Sequence, residues 1–94
     1  MTIKKLVFRI HALQRMAQRG ISPGDIRQSL EQCMVVEDYP DDNPYPSCLV
    51  LGWIGKRPLH IVIAEIIESR ETIVITVYEP DSNKWMPGFM RRKT

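Results

Sequence analysis

The chain has no long apolar run, and this absence limits where it can act. A membrane-spanning helix needs about 20 predominantly apolar residues, and the apolar stretches of this 94-residue sequence are much shorter. The first residues include Lys4 and Lys5, but no long apolar core or small-residue cleavage site follows them, so we expect no signal peptide. The sequence therefore predicts a cytoplasmic protein with no membrane partner.

Cysteine and histidine are scarce, which argues against a disulfide scaffold and a metal site. Two cysteines, Cys33 and Cys48, are too few for a secreted disulfide framework. If residues 33–39 and 47–54 pair as a hairpin, Cys48 lies opposite Glu37, about 13 Å along the strand from Cys33 and beyond disulfide reach. The two histidines are far apart in sequence, and no Cys-x-x-Cys motif or glycine-rich phosphate loop is present. We therefore expect reduced thiols, no metal and no cofactor.

Two short helices are predicted near the N-terminus. Residues 11–20 place their apolar side chains on one side of a helical wheel, and Gly20 is a suitable C-cap. That side consists of Ala12, Leu13, Met16 and Ala17, and we expect Leu13 and Met16 to be buried. Ser22 is a suitable N-cap for a second helix over residues 22–32.

The rest of the chain has the pattern of strands joined by turns. Strands are predicted at residues 34–38, 47–54, 59–67 and 72–79, with a possible short extra strand at 6–10. Strands joined by such short turns pair antiparallel, because parallel pairing needs a long crossover. The sequence therefore predicts an α+β fold, with two helices packed on an antiparallel sheet of about four strands. We expect the chain to form a single domain over residues 1–94, with a loose tail at 86–94.

Charge is segregated along the chain, although the net charge is only +2. Residues 1–24 contain five lysines or arginines and no acid, whereas residues 25–47 contain six acids and one arginine. Such segregation indicates an electropositive face that suits phosphate-bearing or acidic partners. An ordinary solvated surface with basic ends is the alternative.

His11, Arg15 and Arg19 are spaced four residues apart, which places them on one side of the first predicted helix. Arginine can bind a phosphate with two parallel hydrogen bonds, and histidine can accept or release a proton near neutral pH. The spacing indicates a phosphate-directed site, with His11 as acid or base and Arg15 and Arg19 as substrate-binding cations. A solvated helix face is the alternative.

Two further residues could supply a second acid or base. His60 lies in the predicted strand 59–67, and Tyr78 lies near the end of the strand 72–79. The alternatives are a half-buried histidine with a hydrogen-bonded ring and a tyrosine that packs at a sheet edge. Both residues are candidate catalytic groups beside His11.

The segment from His11 to Ser22, with Asp25 and Ile26 following, resembles the opening of a widespread family of small bacterial proteins of unknown function that is grouped with the RelE/ParE-like toxins. The opening is also similar to that of the BrnT toxins. Later segments that resemble the same family are residues 37–40, 44–48, 57–60 and 77–80. The resemblance therefore covers nearly the whole chain.

This resemblance implies a RelE/ParE-like fold, with helices on one side of an antiparallel sheet, and a toxin-like activity. RelE-like toxins cleave mRNA without a metal, whereas ParE-like toxins act on gyrase. The resemblance thus implies RNA or the ribosome as a target and a small antitoxin as a partner. No active residue of these toxins transfers by motif, so the roles assigned to His11, Arg15 and Arg19 rest on their chemistry.

Three functions remain open from the sequence. The leading hypothesis is a metal-independent endoribonuclease, which needs a base, phosphate-binding cations and an acid; His60 or Tyr78 would then partner His11. The second is a non-catalytic domain that binds an acidic protein on the basic helix face. The third is a solitary domain of the same fold without activity.

Overall fold

Two helices and five strands make up the fold in the computed structural model, which describes residues 5–94. Residues 1–4, part of the segment where we expect no signal peptide, lie outside the described residues. The elements are β1 (Lys5–Phe8), α1 (Ile10–Arg19), α2 (Pro23–Glu31), β2 (Met34–Tyr39), β3 (Ser47–Ile54), β4 (Arg57–Ile66) and β5 (Glu71–Tyr78). The predicted α+β class is confirmed. Neither described helix has the length and apolar character needed to cross a membrane.

The sheet has five strands in the order β1-β5-β4-β3-β2. Strands β2 to β5 form the predicted antiparallel meander, whereas β1 pairs in parallel with β5 at the edge. The possible extra strand predicted at 6–10 is therefore confirmed as β1, which makes five strands instead of about four, whereas the prediction of a purely antiparallel sheet is wrong for the β1–β5 pair. Short turns impose antiparallel pairing only on strands that follow each other directly, and most of the fold separates β1 from β5.

Helix α2 is fixed at its start and packs closely on β3. The Ser22 hydroxyl accepts a hydrogen bond from the Asp25 backbone N–H (3.0 Å), and the Asp25 carboxylate accepts one from the Ser22 N–H (2.9 Å). This reciprocal pair is a capping box. A Cβ atom added to Gly52 of β3 would lie 2.7 Å from the carbonyl oxygen of Ser29. Glycine at this position therefore allows α2 to approach the sheet.

Helix α1 buries a narrower stripe than the sequence predicts. Ala12 and Met16 are buried, but Leu13 is 45% exposed and Ala17 is also exposed. The helix packs mainly over β5, and at about 100° per residue Leu13 and Ala17 lie well to one side of the contact line through Ala12 and Met16. The predicted burial of Leu13 is therefore wrong, whereas that of Met16 is confirmed. The predicted C-cap is confirmed, since Gly20 has the left-handed φ of 66°.

Each face of the sheet is covered by a different part of the chain. The helix-facing side chains join Ala12, Met16, Ile26 and other helix residues in one hydrophobic core; on the sheet they are Val50, Leu59, Ile61, Ile63, Val74 and Val77. Because side chains alternate along a strand, His60 and Leu49 belong to the opposite face. That face is also buried, since His60 and Leu49 are both 0% exposed.

The C-terminal segment, residues 80–94, lies against this second face. Trp85 is 4% exposed and packs against the His60 ring, and the Phe89 carbonyl lies 2.8 Å from His60 Nε2. These contacts place the segment on the sheet. The looseness predicted for residues 86–94 concerns motion and stays a prediction.

A β-bulge at Val36 determines which face Glu37 and Tyr39 occupy. Val35 pairs with Val50, whereas Glu37 pairs with Leu49, so one extra residue lies between the two pairs. An extra residue reverses the alternation of side chains beyond it. Glu37 and Tyr39 therefore share the sheet face of Leu49 and His60.

Candidate functional site

The exposed face of α1 carries the predicted cationic residues. His11, Arg15 and Arg19 are all exposed, as predicted. Within residues 5–94, none of their side chains has an ion pair or hydrogen bond. The Arg57 guanidinium donates a hydrogen bond to the Arg19 carbonyl (2.8 Å), which ties the end of α1 to β4. This face of α1 therefore presents one imidazole and two guanidinium groups that a ligand could contact. Their catalytic and binding roles stay predictions.

A cavity of about 310 Å³ opens beside the start of α1, and we call it the α1 cavity. Arg9 and His11 line it from the helix side, Asn43 and Tyr45 from the loop between β2 and β3, and Ile73 from the second face of the sheet. The sequence identifies residues 40–46 as a loop from their prolines, but a local pattern does not show against which surface a loop folds. Arg9, Asn43 and Tyr45 were therefore missed as candidate site residues.

His60 is fully buried, and both of its ring nitrogens have partners inside the protein. Nε2 lies 2.8 Å from the carbonyl oxygen of Phe89. A carbonyl only accepts hydrogen bonds, so Nε2 must carry the proton. Nδ1 then accepts a hydrogen bond from the Tyr78 hydroxyl, 3.2 Å away. Burial lowers the pKa of His60, although the Phe89 carbonyl and the charge of Glu37 act in the opposite direction.

The C-terminal segment closes over this histidine. The Trp85 ring meets the His60 ring edge to face, with centroids 4.4 Å apart. The Arg92 guanidinium lies 4.5 Å from the centroid of Trp85 and donates a hydrogen bond to Glu37 (2.8 Å). That bond is the main reason why the pKa of Glu37 is lowered, and burial raises the pKa of Tyr78. His60 and Tyr78 thus form a hydrogen-bonded pair beneath the C-terminal segment, which the hydrogen bond between Arg92 and Glu37 connects to β2.

The five predicted site residues consequently fall into two groups. His11, Arg15 and Arg19 lie together on α1, whereas His60 and Tyr78 pair on the sheet face that points away from the helices. The sheet therefore lies between His60 and a substrate held on the exposed face of α1, and the C-terminal segment covers His60 on the far side. An acid–base role of His60 or Tyr78 beside His11 stays a prediction.

Among the described residues, the two thiols and the other possible metal ligands do not come together as a metal centre. Cys33 and Cys48 are half-buried free thiols, and burial raises the pKa of each. Cys48 pairs with Asp38 instead of the predicted Glu37 because the β-bulge shifts the register by one residue. Across residues 5–94, no three His, Cys, Asp or Glu side chains are grouped so that they could hold a metal ion.

Comparison with known proteins identifies a family without an assigned activity. The family model described as "Domain of unknown function (DUF4258)" matches residues 8–79. This range includes α1 and the His60–Tyr78 pair, whereas the C-terminal segment lies beyond it. No curated protein and no solved structure gives a significant match. Because the matched range covers most of its 94 residues, the chain belongs to the DUF4258 family of domains of unknown function.

Proposed function

We propose that this chain is a toxin-like, metal-independent endoribonuclease that binds RNA on the exposed face of α1. The observation that carries the proposal is that His11, Arg15 and Arg19 are exposed on one helix face and make no ion pair within residues 5–94. Unpaired cations on such a face attract phosphates and release counterions when these bind. A cytoplasmic location, RNA or the ribosome as target, a small antitoxin as partner and the RelE/ParE-like grouping belong to the same proposal.

The start of α1 adds to the attraction for phosphate. The first turn of this helix contains no acid, and the N-cap residue Arg9 makes no capping hydrogen bond with its side chain within the described part of the chain. Helix N-termini carry a partial positive charge and unsatisfied N–H groups. Arg9 lines the α1 cavity beside His11, so a phosphate near the imidazole would meet both a guanidinium and the positive end of the helix.

The proposed reaction uses the ribose of the RNA as its own nucleophile. His11 takes the proton from the 2′-hydroxyl, the 2′-oxygen forms a bond to phosphorus, and the bond from phosphorus to the 5′-oxygen breaks. The leaving 5′-oxygen takes a proton from water, and a 2′,3′-cyclic phosphate remains on the first fragment. Arg15 and Arg19 stabilise the extra negative charge on the pentavalent phosphate. Water takes the acid role here because His60 is fully buried and Tyr78 is hydrogen-bonded to it on the other face of the sheet; His60 or Tyr78 as the acid stays a prediction.

RNA cleavage by purified protein in EDTA tests the proposal. Wild-type protein should cut RNA, and His11→Ala should lose about 100-fold or more of that activity, which is the usual contribution of a general base. Arg15→Ala should weaken both cleavage and RNA binding, and the dependence of binding on salt should become shallower because one phosphate contact is lost.

Gln18→Ala is the matched control, because Gln18 is exposed on the same helix and carries no charge. It should cleave like the wild type. Wild-type protein that leaves several RNAs intact, with ribosomes absent and present, would contradict the nuclease proposal.

A protein-binding function is the second candidate, and the apolar residues of α1 favour it. Ile10 is 72% exposed and Leu13 is 45% exposed on the same helix as the cations. An exposed apolar stripe beside basic residues suits an acidic amphipathic partner. This candidate predicts that Leu13→Glu abolishes a stable protein complex and that no RNA is cleaved. The nuclease proposal predicts that Leu13→Glu still cleaves RNA, although less well because the added negative charge repels RNA.

A further inference from the structure

We propose that the α1 cavity is a subsite for one unstacked nucleobase, so that the RNA bound on α1 must be single-stranded. This inference rests on the proposed function for the RNA that it places on α1. It concerns binding and substrate class, so it can be tested separately from cleavage.

The size and walls of the cavity suit a flat aromatic ligand. Its volume is about 310 Å³, at the lower end of the range of about 300–1,000 Å³ for small-molecule pockets. Ala64 and Ile73, which are 3% and 7% exposed, and Ile75 give it an apolar floor. Tyr45, which is 38% exposed, forms part of the loop wall. Apolar and aromatic surfaces of this kind accommodate the faces of nucleobases in proteins that bind single strands.

Polar groups at the same cavity suit the edge of a base. Asn43 lines it, and its side chain has no hydrogen-bond partner among residues 5–94. A side-chain amide offers both a donor and an acceptor, and base edges display the same combination. Asp42 also lines the cavity, and its carboxylate is held in place by a hydrogen bond from the Ser47 hydroxyl. The loop therefore presents hydrogen-bonding groups next to an apolar floor.

Cationic groups then connect this subsite with the α1 face. Arg9 and His11 line the cavity from the helix side, and Arg15 and Arg19 continue from His11 along the exposed helix. A base in the cavity would thus have its phosphate near Arg9 and His11, and the adjoining phosphates could follow α1. This arrangement, a pocket for a base beside a positively charged track, is the usual way to bind single-stranded nucleic acid.

The cavity also explains why a duplex should be rejected. Bases in a duplex are stacked and paired, and taking one out of the duplex costs the free energy of unstacking and unpairing. A loop or single strand can place a base in the cavity without this cost. Free nucleotides have the same base and phosphate chemistry, so a nucleoside monophosphate is the second source of ligand that an experiment must separate.

Binding of short fluorescent RNAs tests the subsite under conditions without cleavage. The probes are a 5′-labelled single-stranded RNA hexanucleotide with a 2′-O-methyl group on every sugar, which removes the attacking hydroxyl, the same strand in a duplex, and a nucleoside monophosphate as competitor. We expect Tyr45→Ala to weaken single-strand binding about tenfold or more, which is the range found for one stacked base. Tyr45→Phe should bind like the wild type, because its ring remains.

Ala64→Leu, which places a larger side chain on the cavity floor, should weaken binding like Tyr45→Ala, with folding checked by its melting temperature. Trp53→Ala is the matched control. Trp53 is another partly exposed aromatic residue, at 43%, and it does not line the cavity; its loss should leave binding unchanged.

Each outcome decides the inference. Weaker single-strand binding by Tyr45→Ala and Ala64→Leu, with weak duplex binding throughout, supports the subsite even if the natural RNA is never cleaved, and in that case the nuclease proposal alone fails. Unchanged binding by both variants overturns the subsite, even for an active nuclease. Duplex binding as tight as single-strand binding, or no RNA binding by the wild type at low salt, also overturns it. A monophosphate that binds as tightly as the hexanucleotide assigns the cavity to free nucleotides and overturns the RNA subsite.

Discussion

Replacing His60 with phenylalanine tests how the C-terminal segment is held on the sheet. The side chain of His60 is fully buried, its Nε2–H donates to the Phe89 carbonyl, and its Nδ1 accepts from the Tyr78 hydroxyl. A phenylalanine ring nearly preserves the packing against Trp85 but provides neither hydrogen bond. A buried polar group left without a partner costs about 1–3 kcal/mol. We therefore expect His60→Phe to lower the free energy of unfolding by about 2 kcal/mol.

The same substitution should change the pH dependence of stability. Burial lowers the pKa of His60 in the folded protein, whereas an unfolded histidine titrates near 6.5. Below about pH 6.5 the unfolded chain therefore binds more protons than the folded one, and the contribution of His60 to stability is lost as the pH falls. One group changes the free energy of unfolding by at most about 1.4 kcal/mol per pH unit. His60→Phe should flatten the stability profile below about pH 6.5, where the unfolded histidine takes up its proton.

Urea unfolding followed by tryptophan fluorescence measures both effects, since Trp85 lies against His60. With a slope of about 1–3 kcal/mol per molar urea for a small domain, the midpoint of His60→Phe should fall by about 1 M at pH 7.5. His11→Ala is the control, because His11 is the other of the two histidines and is exposed; it should keep the wild-type midpoint. A His60→Phe variant with wild-type stability, or with the wild-type pH profile, would refute the buried neutral histidine.

Three further substitutions test other contacts of the fold by the same urea assay. Gly52→Ala should cost about 1–3 kcal/mol of stability, because its Cβ would contact the Ser29 backbone at 2.7 Å; a neutral effect would contradict the close approach of α2. Ser22→Ala should cost about 1 kcal/mol through the lost capping box, and an unchanged midpoint would show that the cap does not stabilise α2. Arg92→Ala should cost less than about 1 kcal/mol because its ion pair with Glu37 is largely exposed, yet it should alter tryptophan fluorescence; a larger loss of stability would mean that this ion pair holds the segment.

The parts of the fold that were predicted correctly depend on neighbours in sequence. The turns between successive strands and the Gly20 C-cap are local signals, and the antiparallel meander and both helices agree with them. The pairing of β1 with β5 depends on contacts across the whole chain, so no local pattern could give it. Leu13 was predicted to be buried because a helical wheel shows which residues share a side but not how wide the contact with the sheet is.

The arrangement of the candidate site was less accessible from sequence for a similar reason. The four-residue spacing of His11, Arg15 and Arg19 follows from helix geometry, and their exposure agrees with it. The position of Glu37 near the C-terminal segment depends on the bulge at Val36. Val35 and Val36 are ordinary strand residues, so nothing in the sequence indicates a bulge there. Tyr45 approaches α1 through the path of a loop, which composition alone does not determine.

The chemistry of the new RNA ends shows whether His11 acts as the base. RNA incubated with wild-type protein in EDTA should be cut so that each upstream fragment ends in a 2′,3′-cyclic phosphate, which mass spectrometry detects. These fragments should be nearly absent with His11→Ala. Intact RNA, a free hydroxyl at the 3′ end newly formed by cleavage, or equal cleavage by His11→Ala would contradict the assignment of His11 on α1 as the base of an RNA-cleaving site.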